Sequence, residues 1–237
     1  MLATRVLARP RGAAGGGAAA EVEVAGHVAH ALGAIGWATR HEVPWRHWRL
    51  DGLLPEATGD ALAALPMERP DATGAPAFDG TREGDNARRV FFDPDRRRRD
   101  AAVDAVASAL DSPALRAALG GLVGVDLTPH HLRVELCRDT DGFWLAPHTD
   151  IRVKRFTMLI GLNREPELAD AGTDLYDGPD RHWGTAPFGF GTGLVFVPGD
   201  DTWHGFRQRP IRGVRQCLIA NYVDDTWRAR HELASGP

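Results

Sequence analysis

His148, Asp150, His204 and Arg215 are the residues of this chain whose types and spacing could do chemistry. His148 and Asp150 stand in Pro147-His148-Thr149-Asp150. His204 follows in Trp203-His204-Gly205, and Arg215 comes eleven residues later, after Gly213-Val214. In an extended strand, residues i and i+2 face the same side, so one imidazole and one carboxylate can reach a single ion. Two imidazoles and a carboxylate on one side of a β-scaffold make the facial triad that holds non-haem Fe(II) and leaves coordination positions open. An arginine beyond the second histidine supplies a planar fork that pairs bidentately with a carboxylate. Together the four residues predict an iron centre with an anionic cosubstrate beside it.

The triplet alone carries little, because chance supplies a His-x-Asp in a chain with 10 His and 32 acidic residues. Its surroundings give it weight. An alternating stretch, Leu132-Arg133-Val134-Glu135-Leu136, and a turn containing Asp141-Gly142 precede it. The second histidine follows the apolar run 193–197 and the turn Pro198-Gly199-Asp200-Asp201, and Arg215 opens a strand expected over residues 216–222. All four residues therefore sit at the edges of predicted strands.

Several segments carry a family likeness: Phe143-Trp144-Leu145-Ala146-Pro147-His148-Thr149-Asp150, Lys154-Arg155-Phe156-Thr157-Met158-Leu159-Ile160-Gly161-Leu162, Gly172-Thr173-Asp174-Leu175-Tyr176 and Gly213-Val214-Arg215-Gln216-Cys217-Leu218. With the run from Phe196 to His204, they resemble the 2-oxoglutarate/Fe(II) oxygenase superfamily, particularly its prolyl-hydroxylase-like branch, over residues 130–223. The resemblance implies a double-stranded β-helix, a jelly-roll or cupin-like barrel. It implies that His148, Asp150 and His204 are the iron ligands and catalytic centre. It also implies that Arg215 binds the distal carboxylate of 2-oxoglutarate, and that O₂ is the second cosubstrate. Decarboxylation of 2-oxoglutarate to succinate would then accompany oxidation of a substrate C–H bond. Two positions depart from the pattern. Gly161 stands where many relatives have a tyrosine whose hydroxyl helps hold the cosubstrate, and Cys217 stands where many have serine. Thr157 is a candidate replacement hydroxyl for the cosubstrate, set against its reading as an ordinary β-branched strand residue.

The rest of the chain must position these residues. At 237 residues, 43% hydrophobic and 25% charged, it suits one soluble domain with a sizeable core. A net charge of −4 gives no electrostatic basis for nucleic-acid binding, and no apolar run is long enough to span a bilayer. Residues 1–20 read as a flexible tail, with a single domain over residues 21–237. An extended stretch is expected over residues 43–48, a helix from Pro55 closed by Pro66, and a long loop over residues 67–90. A helix is expected from Asp95 to Leu110, and a shorter one from Pro113 to Leu119 ending at Gly120-Gly121. The four arginines 96–99, flanked by Asp93, Asp95 and Asp100, read as a helix start with local ion pairs. Helices first and short strands afterwards predict an α+β fold, mostly β, with helices bracing one face. Cys137 and Cys217 read as buried thiols, which fits a cytoplasmic protein.

For the substrate, the acidic segment 170–180 lies between the two halves of the triad and is expected to line the site's mouth. Asp174 and Tyr176, on one face if the stretch is extended, and Trp144 beside the triplet are the candidate substrate contacts. They would favour a small polar metabolite, such as an amino sugar in natural-product tailoring, hydroxylated or oxidatively cyclised. A protein or peptide side chain is the alternative substrate, and a non-enzymatic metal- or ligand-binding barrel is the alternative of another class.

Overall fold

The computed structural model describes residues 15–66 and 87–236. Three long strands explain its architecture: β4 (His131–Asp139), β6 (Lys154–Gly161) and β11 (Arg215–Val223). Strand β11 pairs antiparallel with β4 from Arg215↔Asp139 to Val223↔His131, and on its other side with β6. One parity of each strand is apolar: Leu132, Val134 and Leu136, then Phe156, Met158 and Ile160, then Leu218, Ala220 and Tyr222. Alternation puts these residues on one face, where they share a core with the helices. The other parity is polar yet equally buried: Arg133, Glu135, Asp139, Thr157, Arg215 and Asn221. It faces the space between two sheets, and its groups persist there because they bond one another.

The remaining strands complete two antiparallel sheets. Strands β1 (Thr39–His41), β2 (His47–Leu50), β3 (Ala87–Phe91) and β9 (Gly193–Phe196) join the long ones in the order β1-β2-β9-β6-β11-β4-β3. The second sheet has the order β5-β10-β7-β8, from β5 (Leu145–His148), β7 (Asp174–Tyr176), β8 (His182–Thr185) and β10 (His204–Phe206). This is the expected α+β architecture of two facing sheets with helices on one side.

Among the described residues five α-helices follow, and all but the third bury side chains in the core on the apolar face of the larger sheet. They are α1 (Gly15–Ile35), α2 (Glu56–Ala63), α3 (Pro94–Arg99), α4 (Ala101–Asp111) and α5 (Pro113–Val123). Val103, Val106, Ala107 and Leu110 of α4 recur at helical spacing and are buried. The Tyr222 hydroxyl donates to the Leu110 carbonyl, tying α4 to β11. Ser112 caps α5 by accepting from the Leu115 N–H, and Gly124, left-handed at φ 79°, ends it.

Four expectations change. Helix α1 begins at Gly15, inside the segment read as a tail; residues 1–14 lie outside the described residues. The helix expected from Asp95 is two helices, broken where Asp100 is extended (φ −126°, ψ 110°). Helix α5 runs through Gly120-Gly121 to Val123, since glycine inside a helix costs only about 1 kcal/mol. The loop expected over residues 67–90 gives way to β3 at its end, and residues 67–86 lie outside the described residues. The arginine run does form local ion pairs, with Asp95, Asp100 and Asp104. Both cysteines are free and buried. No helix among the described residues is long and apolar enough to cross a membrane.

Candidate metal centre

His148 and His204 face each other across the β5–β10 pairing, with ring centroids 4.4 Å apart. Asp150 lies just past the end of β5. One ligand atom from each of the three comes within 4.8 Å of the others. Each imidazole uses Nδ1 on the carbonyl two residues before it: His148 on Ala146 and His204 on Thr202, both at 2.9 Å. That bond places the proton on Nδ1, fixes the ring and leaves Nε2 as the lone-pair donor. Phe196 closes one side of the His204 ring at 4.9 Å.

The electrostatics suit a cation. Burial lowers the His204 pKa to about 4; the Asp150 charge works against that shift and the His148 ring adds to it, so the imidazole is neutral at pH 7. Burial alone would raise the pKa of Asp150, but Lys154 and His204 hold it well below the usual carboxylate range, so it is ionised. Its Oδ1 accepts from Lys154 Nζ at 2.6 Å and its Oδ2 from Thr157 Oγ1 at 2.8 Å. Two imidazoles and one carboxylate are the donor set for Fe(II), so these residues fit that ion.

The triad opens onto a cavity between the sheets. Phe143, Leu145, Leu159, Phe206 and Ile219 give it apolar walls, while Arg89, Glu135, Asp139 and Arg215 crowd its far end. Arg215, the first residue of β11, is buried. Its Nε donates to the Ala171 carbonyl and its Nη1 to Asp139 Oδ2, both at 2.7 Å. The guanidinium lies between the Phe188 and Phe206 rings, 5.1 Å from each. Thr157 also lines the cavity, but its hydroxyl is engaged: it donates to Asp150 and accepts from Asn221 Nδ2 at 2.9 Å.

The three expected substrate contacts lie elsewhere. Register decides the matter for Asp174 and Tyr176. Leu175 is the cross-strand partner of His204, so Leu175 shares the triad's face and its two neighbours point away. Asp174 is fully buried on that other face, bonded to the Arg207 N–H, Arg209, Thr185 and His182. Tyr176 packs edge-on against His182. Trp144 is 44% exposed, and its neighbours Phe143 and Leu145 face the cavity instead. Sequence reasoning passed over Arg89, Glu135 and Asp139. The one signal for them was the polar parity of the 132–136 stretch, continued to Asp139.

No family model and no curated protein matches the chain. Solved structures do. A prolyl-4-hydroxylase from Pseudomonas putida is 18% identical with a TM-score of 0.55, covering 83% of this chain and 98% of its own. A prolyl hydroxylase from Trichoplax adhaerens, solved with a peptide fragment of hypoxia inducible factor, is 13% identical with a TM-score of 0.52. It covers 90% of this chain and 95% of its own. At such identities the likeness shows the fold, which is the double-stranded β-helix of the prolyl hydroxylases.

Proposed function

We propose that this chain is an Fe(II)- and 2-oxoglutarate-dependent oxygenase that oxidises a C–H bond of its substrate, with hydroxylation as the default outcome. The observation that carries the reading is the convergence of His148, Asp150 and His204, with ligand atoms within 4.8 Å of one another, on a prolyl-hydroxylase fold. These three residues would hold the iron. When bound, the metal supplies open coordination positions for the keto acid and O₂.

The protein's own contribution is orientation and a partly apolar enclosure. The backbone bonds at Nδ1 aim both Nε2 atoms, and Lys154 and Thr157 fix the Asp150 carboxylate. The apolar walls beside the charged groups lower the local dielectric, which strengthens each charge inside the cavity. Arg215 offers a permanent charge between two aromatic rings for the distal carboxylate of 2-oxoglutarate.

The amino-sugar reading rested on Asp174 at the mouth, and its burial removes that support. The fold neighbours favour a second reading of the substrate, a protein or peptide side chain, since one of them was solved with a peptide. Assaying 2-oxoglutarate turnover with peptides against small polar metabolites separates the two. For the reaction class, anaerobic protein given Fe(II) and 2-oxoglutarate should develop a weak visible charge-transfer band. His148→Ala, Asp150→Ala and His204→Ala should each lose it, together with turnover and tight metal binding. A folded wild-type protein that binds Fe(II) yet shows no band would sink the reading in favour of a metal-binding sensor.

A further inference from the structure

The cavity's far end carries two guanidinium groups on one carboxylate. Arg89 Nη1, from the edge strand β3, donates to Asp139 Oδ1 at 2.7 Å, and Arg215 Nη1 donates to Asp139 Oδ2 at 2.7 Å. Asp139 is fully buried between them. Arg89 Nη1 also reaches the Arg88 carbonyl, and Arg215 Nε is committed to Ala171. Among the described residues, the Nη2 of neither arginine donates a hydrogen bond, and both arginines line the cavity. The two guanidiniums share one carboxylate here, and Glu135 stands beside Arg89 as a second, longer ion pair. Glu135 is shared between two arginines: its Oε1 is 3.0 Å from Arg133 Nη1 and its Oε2 3.9 Å from Arg89 Nε. Phe143, Phe188 and Phe206 wall the arginines in, so the charge is poorly screened by water.

Two hydroxyls of the family pattern are missing beside Arg215, and the Thr157 hydroxyl is occupied. A Cβ on Gly161 would lie 2.3 Å from the Gly189 carbonyl oxygen, so no side chain fits there. Position 217 is a buried thiol, and the Thr157 hydroxyl serves Asp150 and Asn221. Thr173 also lines the cavity, and Arg89 adds to it a charged fork from a different strand.

Building on the proposed 2-oxoglutarate dependence, we propose that Arg89 is a second carboxylate-binding residue. The acid-bridged pair Arg89–Asp139–Arg215 receives the distal carboxylate of the cosubstrate through the two free Nη2 groups, and Asp139 is the positioning residue that sets their spacing. The site thereby selects a dicarboxylate over a monocarboxylate keto acid.

Calorimetric titration of the Mn(II)-loaded protein with 2-oxoglutarate and with 2-oxopentanoate, which lacks the distal carboxylate, tests this without turnover. Wild type should prefer the dicarboxylate by about 100-fold. Arg89→Met should lose roughly tenfold or more in affinity for 2-oxoglutarate and leave 2-oxopentanoate within about twofold. Should Arg89→Met not fold, Arg89→Lys decides: it keeps the charge, loses the fork, and should weaken 2-oxoglutarate alone by about three- to tenfold. A wild-type preference that survives unchanged in a folded Arg89 variant overturns the role of Arg89 and leaves the cosubstrate reading standing. A wild-type protein that binds Mn(II) but neither keto acid overturns both.

Discussion

Asp150 shows how a single residue's duty can be set by neighbours the sequence does not advertise. Its Oδ2 is held by Thr157, Thr157 is held by Asn221, and Asn221 Oδ1 accepts from Arg133, which is bonded in turn to Glu135 and Glu232. The register explains the chain of bonds, because Asn221 is the cross-strand partner of both Thr157 and Arg133. Thr157 was legible as a polar residue near the cosubstrate, but which group it would touch depended on a strand 64 residues away. Groups that orient a ligand commonly matter tenfold to 100-fold in metal affinity. Thr157→Val should therefore weaken Mn(II) binding by roughly tenfold, and Thr157→Ser should restore most of it. Calorimetry on metal-free protein reads this directly. A Thr157→Val protein with native affinity would reduce the contact to packing. The first half of the triad was legible because His-x-Asp is a local spacing, whereas His204 was legible through the family resemblance of the segment around it.

At the scale of elements, alternation was readable and its phase was not. The sequence around Asp174 shows that Asp174 and Tyr176 share a face and Leu175 takes the other. Only the pairing of β7 with β10 says which face meets His204. The acid turned out to sit on the far side, as the hub that ties β7 to β8 and to the segment after β10. Burial alone would raise its pKa, but the Arg207 N–H, Arg209 and Thr185 bring it below the ordinary 3.8. A carboxyl whose folded pKa is depressed contributes stability in full above its unfolded pKa, and that contribution is lost as pH falls through the folded value. Asp174→Asn should cost about 3 kcal/mol near pH 7, because Arg209 is left without its buried partner. Its deficit should shrink below pH 3.8 as the wild-type carboxyl protonates. Denaturant melts of both proteins across that range check the claim, and a deficit independent of pH would assign the loss to packing. Helix ends were misread for a related reason. Helix α5 passes through its two glycines because Gly120 and Val123 are buried against the core, which offsets the glycines' cost.

In the whole molecule, the candidate metal centre spans the two sheets. His148 and His204 stand on β5 and β10 of the smaller sheet, while Asp150 is bonded by Lys154 and Thr157 of β6 in the larger one. A bound ion would thus join the sheets at a place where the cavity keeps them from packing directly. An ion that binds only the folded state stabilises it by RT ln(1 + [L]/Kd), about 2.7 kcal/mol at 100 times Kd. For a domain of this size that is roughly 5–10 °C in Tm. Adding Mn(II) to chelator-treated protein should raise Tm by that amount. It should also slow amide exchange in β5 and β10 more than in helices α4 and α5, which pack on the opposite face of the larger sheet. Asp150→Ala should abolish both effects, since two imidazoles on one sheet cannot bridge to the other. Slowed exchange confined to residues 145–148 with no rise in Tm would mean that the ion decorates the smaller sheet and does not join the two.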